Sequence, residues 1–364
     1  MSVLFIDSVQ TYTTNELINN SVANKWGIVG GINDKTIFVG NAPTQSPKLN
    51  GRVGSNLLIF LNVNQLPFGN ALSTTLPVQF NTTTTMGFRY IFDQYPPSNS
   101  PYIDFIGFGN ISPNYLNVIL AIDGFGNLHA LDGKGNLLCT CTVPLYPLAL
   151  NYIEVSIVYS STVGTISFRI NEEPSGSFSN LNTNIQTGTG TTGCSTVILG
   201  FLEMANAGYQ DIYISNDSAF LGDVRADALW PTGPGAYTQL TPTTPTGVNW
   251  SNVNNITPST TIYNTGLAGS ALKDLYTFSQ LNIPATSSIY AVQQNTICMK
   301  SDTGSSTIQP IIYNGGTLSN INGLLHPTTT QYANQLSIST VNPISSAPWT
   351  VTEINNTQYG IEIV

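Results

Sequence analysis

Charged side chains are scarce enough in this sequence to be taken one at a time. Its 364 residues include 19 Asp or Glu and 10 Lys or Arg. A retaining glycosidase needs two carboxyl groups about 5 Å apart, which on one strand means acids at two-residue spacing. The Glu-x-Asp-x-x-Glu run of sandwich-fold glucanases is missing. Glu172 and Glu173 are adjacent, so on a strand they would point to opposite faces. Asp223 and Asp227 would share a face, but Arg225 stands between them. It would hold both carboxylates ionised, the reverse of what a general acid requires. Asp223, Arg225 and Asp227 therefore read as structural. One guanidinium reaches carboxylates on either side, with Leu221 and Leu229 on the same face of a strand that Pro231 ends. The trio predicts a latch between a first β-domain and the C-terminal remainder of the chain, with an inter-subunit salt bridge as the alternative.

Nucleophile chemistry has little to work with. The two histidines, His129 and His326, fall in different predicted domains, and no Gly-x-Ser-x-Gly or phosphate-cradling loop is present. His129 reads as a structural histidine. Cys139 and Cys141 would share a strand face, but no Cys-x2-Cys pair completes a metal site. With Cys194 and Cys298 they read as buried free thiols. A tandem repeat, "DGFGNLHAL" then "DGKGNLLCT", places Asp123, Asn127, Asp132 and Asn136 at matching positions. A calcium loop would want six to eight oxygens and a bidentate acid, and no Glu closes either copy. Asp-Gly is a hairpin-turn signal, so two successive turns are the expectation, with no metal and no cofactor.

The elements that must position these residues are strands. Charged residues are 8% of the chain, against about 25% in ordinary soluble domains. Asn, Thr, Ser and Gln replace them, a surface that repels other copies weakly. The net charge of −9, with scattered basic residues, argues against nucleic acid as a partner. The start, "MSVLFIDSVQ", shows no ordinary secretory signal, and runs such as "LLIFL" are too short to span a bilayer. "GFRYIFD", "YIEVSIVYS" and "TISFRINEE" alternate, which puts Phe88, Tyr90 and Phe92, then Ile153, Val155, Ile157 and Tyr159, then Ile166, Phe168 and Ile170 on single faces. Around "SALKDLYTF" one short helical turn is expected. The predicted fold is all-β: a jelly-roll sandwich over 1–230, a stiff Pro/Gly/Thr-rich linker over 231–248, and a C-terminal β-sandwich over 249–364.

"YQDIYISNDSAFLGDVRADALWPTGPGAYTQLTP", running from Tyr209 to Pro242, resembles a segment of bacteriophage and prophage virion proteins. There, a laminin-G or concanavalin-like domain ends in a "DDIY" strand followed by "FLGDVRV" and a Pro/Gly turn. "IYAVQQNTICMKSDTGSSTI" and "APWTVTEINNTQYGIEIV" are similar to the C-terminal β-domain of the same proteins. The resemblance covers most of 200–364. It implies a passive structural protein, not an enzyme, on the outside of a phage particle. The tail or adsorption apparatus is the leading expectation, and capsid decoration the alternative. It also implies other virion proteins as partners, assembly in the host cytoplasm, and a homo-oligomer, with a trimer favoured. A host-glycan lectin is the third expectation. Tyr95, Tyr102 and Tyr115 would form its aromatic platform, against the alternative that they are ordinary core or rim aromatics.

Overall fold

The computed structural model describes residues 3–9, 27–29, 37–41, 56–61, 71–75, 82–96, 102–110, 116–184, 193–200, 206–243, 247–254, 259, 261–321, 323–329 and 332–364. Its chain contacts separate two compact units, one running to Ala226 and the other from Asp227 to Val364.

In chain order, the strands of the first unit are β1 (Val3–Asp7), β2 (Gly27–Val29), β3 (Ile37–Asn41), β4 (Asn56–Leu61), β5 (Ala71–Thr75), β6 (Thr83–Phe92), β7 (Ile103–Gly109) and β8 (Leu116–Ile122). They continue with β9 (Leu128–Asp132), β10 (Leu137–Thr140), β11 (Asn151–Val158), β12 (Gly164–Ile170), β13 (Glu173–Leu181), β14 (Thr196–Gly200) and β15 (Asn206–Ser215). Among the described residues they form two antiparallel sheets. One has the order β13-β12-β11-β6-β15-β4-β3, with β1 also on β15, and the other runs β10-β9-β8-β7-β14-β5-β2. This is the expected all-β jelly-roll sandwich of two antiparallel sheets.

The alternating pattern sets its core. Phe88, Tyr90 and Phe92 are buried, as are Ile153, Val155, Ile157, Ile166, Phe168 and Ile170. Tyr90 stacks on Phe105 of the opposite sheet at 4.9 Å and meets Tyr209 at 5.1 Å. The Tyr209 hydroxyl donates to the Phe105 carbonyl at 3.0 Å. A polar tip inside an aromatic core is thereby paired, and the two sheets are tied together. Asn171 and Glu172 both have positive φ, 50° and 69°, and make the two-residue loop between β12 and β13 that right-handed strand twist favours. Glu172 thus lies in a turn, not on a strand beside Glu173.

The second unit corrects the predicted linker. Pro231–Thr238 is strand β16, paired with β19 (Lys273–Phe278) at the edge of a five-stranded sheet. An edge position leaves one side of the strand unpaired, so the missing N–H groups of Pro231 and Pro234 are tolerated. Thr241–Pro242 (β17) pairs with Asn264–Thr265 (β18), and Val292–Cys298 (β20) with Ala333–Ser339 (β23). The five-stranded sheet is completed by β21 (Ile308–Asn314), β22 (Thr317–Asn320) and β24 (Gln358–Ile363). The expected helical turn near Leu272 is strand β19 instead. An α-helix among the described residues of this unit, α1 (Val351–Asn356), is started by a capping box in which Thr350 Oγ1 accepts from Glu353 N–H and Glu353 Oε2 accepts from Thr350 N–H.

Candidate functional site

The tandem repeat is two turns with the same hydrogen bonds. Asp123 Oδ1 accepts from the N–H groups of Phe125 and Asn127, and Asn127 Nδ2 donates to Asp123 Oδ2. Asp132 Oδ1 accepts likewise from Lys134 and Asn136, and Asn136 Nδ2 donates to Asp132 Oδ2. The carboxylates close their own turns, as the Asp-Gly spacing predicts. Among the described residues no group of three or more His, Cys, Asp or Glu could hold a metal. Burial works to raise the Asp123 carboxyl. Donors from Asn127, His129 and Phe125 outweigh it and hold the group below the usual carboxylate range.

The first turn, linking β8 to β9, anchors an exposed aromatic surface. Phe125 at its tip is 80% exposed, Tyr146 57%, Leu148 70% and Tyr95 36%. Three chain segments meet there. Leu145 N–H donates to the Gly126 carbonyl at 2.8 Å, and Phe125 and Tyr146 are each the next residue along from that bond. Leu148 N–H donates to the Phe92 carbonyl at 2.7 Å. The Tyr95 ring packs 6.0 Å from that of Phe92 and lies so close to Gly126 that a Cβ there would come within 2.7 Å of it.

The loop carrying Tyr146 and Leu148 is braced from below. Buried Asn151 accepts from Tyr146 N–H and donates to the carbonyls of Tyr146 and Ala149. Leu148 itself sits at φ 59°, an uncommon conformation for an apolar residue. Large apolar side chains on a hydrogen-bonded loop cost little ordering entropy on contact with a ligand.

Of the tyrosines expected from the sequence, Tyr95, Tyr102 and Tyr115, the exposed surface includes Tyr95. Tyr102 is half-buried, with its ring edge-on to His129 at 4.7 Å. Tyr115 lies outside the described residues. His129 has Nδ1 at 2.9 Å from Thr140 Oγ1 and Nε2 at 3.1 Å from Asp123 Oδ2. This is the structural histidine expected, bracing the same turn. Phe125, Tyr146 and Leu148, exposed on the same surface, were not singled out from the sequence. The signal for Phe125 was present: an aromatic flanked by Gly124 and Gly126 at a turn tip has no strand face to enter.

Asp223, Arg225 and Asp227 do not share a strand, because residues 219–230 form none. Asp223 pairs with Arg89 of β6, whose Nη2 donates to Asp223 Oδ1 at 2.9 Å, while Arg89 Nε lies 3.3 Å from Asp211 Oδ2. Asp211 Oδ1 accepts from Ala226 N–H. Glu154 Oε1 accepts from Tyr213 Oη and from the N–H groups of Leu221 and Gly222. Arg89, Glu154 and Asp211 are fully buried. This polar layer straps residues 217–226 across the outer face of the eight-stranded sheet, all within the first unit. It also explains why β6 and β11 are buried on both faces, where alternation predicted one. Cys139, Cys141, Cys194 and Cys298 are buried free thiols, as expected.

No family model matches this chain, and no curated protein matches it. Among solved structures it is similar to "Cellulose induced protein, Cip1" at 15% identity, covering 54% of this chain and 94% of that one, with a TM-score of 0.39. It is similar to alginate lyase Aly36B at 12% identity, covering 62% and 98%, with a TM-score of 0.37. A Trypanosoma rangeli sialidase is similar at 15% identity over 51% of this chain and 28% of that one, with a TM-score of 0.34. These identities speak to the fold alone. Enzymes stand among these structures, at low identity and partial coverage, so the expectation that this chain is not an enzyme is withdrawn and its enzyme status is unsettled.

Proposed function

We propose that this chain binds carbohydrate through the end of its first sandwich that carries Tyr95, Phe125, Tyr146 and Leu148. The supporting observation is the exposure of these side chains on turns braced by Asp123 and Asn151. Aromatic rings accept the apolar faces of sugar rings, and rigid turns keep them in place. A glycan array tests this. Binding that is lost in Phe125→Ala and Tyr146→Ala proteins supports it, and an array with no signal overturns it.

The setting we propose is the exterior of a bacteriophage particle, in the tail or adsorption apparatus, with a homo-oligomer as the assembled form. Its support is the resemblance that covers most of residues 200–364. Immunogold imaging of particles would locate the protein on the tail or, as a decoration protein, on the head. Absence from particles would rule out both.

A further inference from the structure

We infer that the two-stranded ribbon of β20 and β23 carries a self-association edge: β20 of one copy adds, antiparallel, to β20 of a second copy about a two-fold axis at Asn295. The inference rests on the homo-oligomer reading above and names its contact surface. The two strands are seven residues each and pair in unbroken register, from Val292 opposite Ser339 to Cys298 opposite Ala333. Among the described residues they pair with each other and with no other strand. The outer side of β20 thus presents a row of backbone donors and acceptors to one more strand.

Sheet edges are ordinarily guarded by proline, charge, a bulge or short length. The five-stranded sheet of the same unit follows that rule. Its β16 edge has Pro231, Pro234 and two breaks in register, and its β22 edge is four residues long. β20 has no proline, no charged residue and no bulge. The carbonyl of Ser339, at the end of β23, accepts from Trp349 Nε1 at 3.3 Å, so a side chain already occupies β23 there.

The chemistry of β20 selects a second copy as the partner. Cys298 packs with Ile308 and Ile363, and Gln294 Nε2 donates to the Gly360 carbonyl at 2.8 Å. The even-numbered residues therefore face the five-stranded sheet, and half-buried Gln293, Asn295 and Ile297 face away from it. Two-fold pairing sets the strand against itself reversed: Asn295 meets the partner's Asn295, and Gln293 meets the partner's Ile297. A charge near the axis would meet its like and repel it. None is there, because the sequence has no Asp, Glu, Lys or Arg between Asp274 and Lys300 or between Asp302 and Glu353. Opposed amides instead hydrogen-bond across the axis, since each carries donors and an acceptor. The contact is isologous and closes at two copies, so the assembly it builds has an even number of chains, not the three that the resemblance favours.

The test is sedimentation velocity on the full chain over a concentration series, with Asn295→Lys and Asn295→Asp proteins beside the parent. The parent should sediment as a dimer. Each variant alone should self-associate at least about tenfold more weakly, the scale of one like-charge contact at a partly dehydrated site, with an unchanged far-ultraviolet spectrum. An equimolar mixture of the two should recover the dimer, since opposite charges then meet; mixing would not repair a mere loss of stability. If a charged variant does not fold, an Asn295→Cys protein reads the same contact, and it should cross-link to itself under mild oxidation. A parent whose association neither variant weakens, or one that forms a trimer, would overturn the inference and leave the homo-oligomer reading standing. A mixture that associates no better than either variant, or an Asn295→Cys protein that does not cross-link, would overturn the contact at Asn295. A parent that stays monomeric throughout would overturn both readings.

Discussion

Arg89 and Asp223 are 134 residues apart in sequence and 2.9 Å apart in the fold, with both side chains withdrawn from water. The guanidinium also lies 3.3 Å from Asp211, so one cation serves two carboxylates in a low-dielectric layer. Removing it takes the guanidinium from both. Arg89→Met should cost about 3–5 kcal/mol in urea unfolding. Asp223→Asn should cost less, because Asp211 still partners the arginine. Equal losses from the two variants would show that the pair does not act as a shared node.

Gly87 lies under the ring of Tyr213. A Cβ at this position would stand 2.1 Å from Tyr213 Cε1 and 2.7 Å from the Tyr152 hydroxyl. Both rings belong to the layer beneath residues 217–226. Gly87→Ala should therefore lower stability by about 1–3 kcal/mol through overpacking. It should also raise proteolytic nicking between Ser218 and Ala226, read by mass spectrometry. An unchanged melting temperature would refute the close-approach argument.

In the second unit the corresponding node is Asp274, fully buried. Its Oδ1 accepts from the N–H groups of Gln239 and Leu240, and its Oδ2 from Asn249 Nδ2 and Tyr276 Oη. Asp274→Ala leaves those donors unsatisfied, at a cost of about 2–4 kcal/mol. Hydrogen exchange at the Gln239 and Leu240 amides should accelerate in step with the loss. Amides that stay protected would show that the carboxylate is dispensable.

Burial lifts the Asp104 carboxyl to about 6. An acid whose folded pKa is raised keeps its proton longer in the folded state than in the unfolded one. Below about pH 4 both states hold the proton and the group is neutral to stability. From about pH 4 to about 6 the unfolded state releases it first, so stability falls as pH rises, and above that the penalty is constant. Asp104→Asn should remove the fall and raise stability at pH 7 by about 1–3 kcal/mol. Parallel pH–stability curves for the two proteins would contradict this.

Phe125 and Tyr146 project from the first sandwich instead of packing within it. Their alanine variants should melt within about 0.5 kcal/mol of the parent while losing carbohydrate binding. A large loss of stability in either would mark it as a packing residue and remove it from the contact surface.

Much of the architecture was legible in the sequence. Period-two alternation in "TISFRIN" and "GFRYIFD" dictates strands with one apolar face, and the Asp-Gly-x-Gly-Asn repeat dictates two turns whose carboxylates bond their own backbone. Even the helix start at Thr350 was written as Thr-x-x-Glu, a local signal passed over among so many strands. These features depend on neighbours within a few residues. What the tertiary structure alone decided was pairing at long range. Residues 231–238 read as a linker because their prolines cannot donate to a ladder, and only a sheet with a free edge could take them in as a strand. The spacing of Asp223, Arg225 and Asp227 suggested a local ion pair. Burial against β6 brings Arg89, 134 residues earlier in the chain, to Asp223, since a charge removed from water takes whichever partner the fold presents. The surface of Tyr95, Phe125, Tyr146 and Leu148 likewise joins three segments that no local spacing relates. Only the hydrogen bonds between their backbones set those side chains together, facing water.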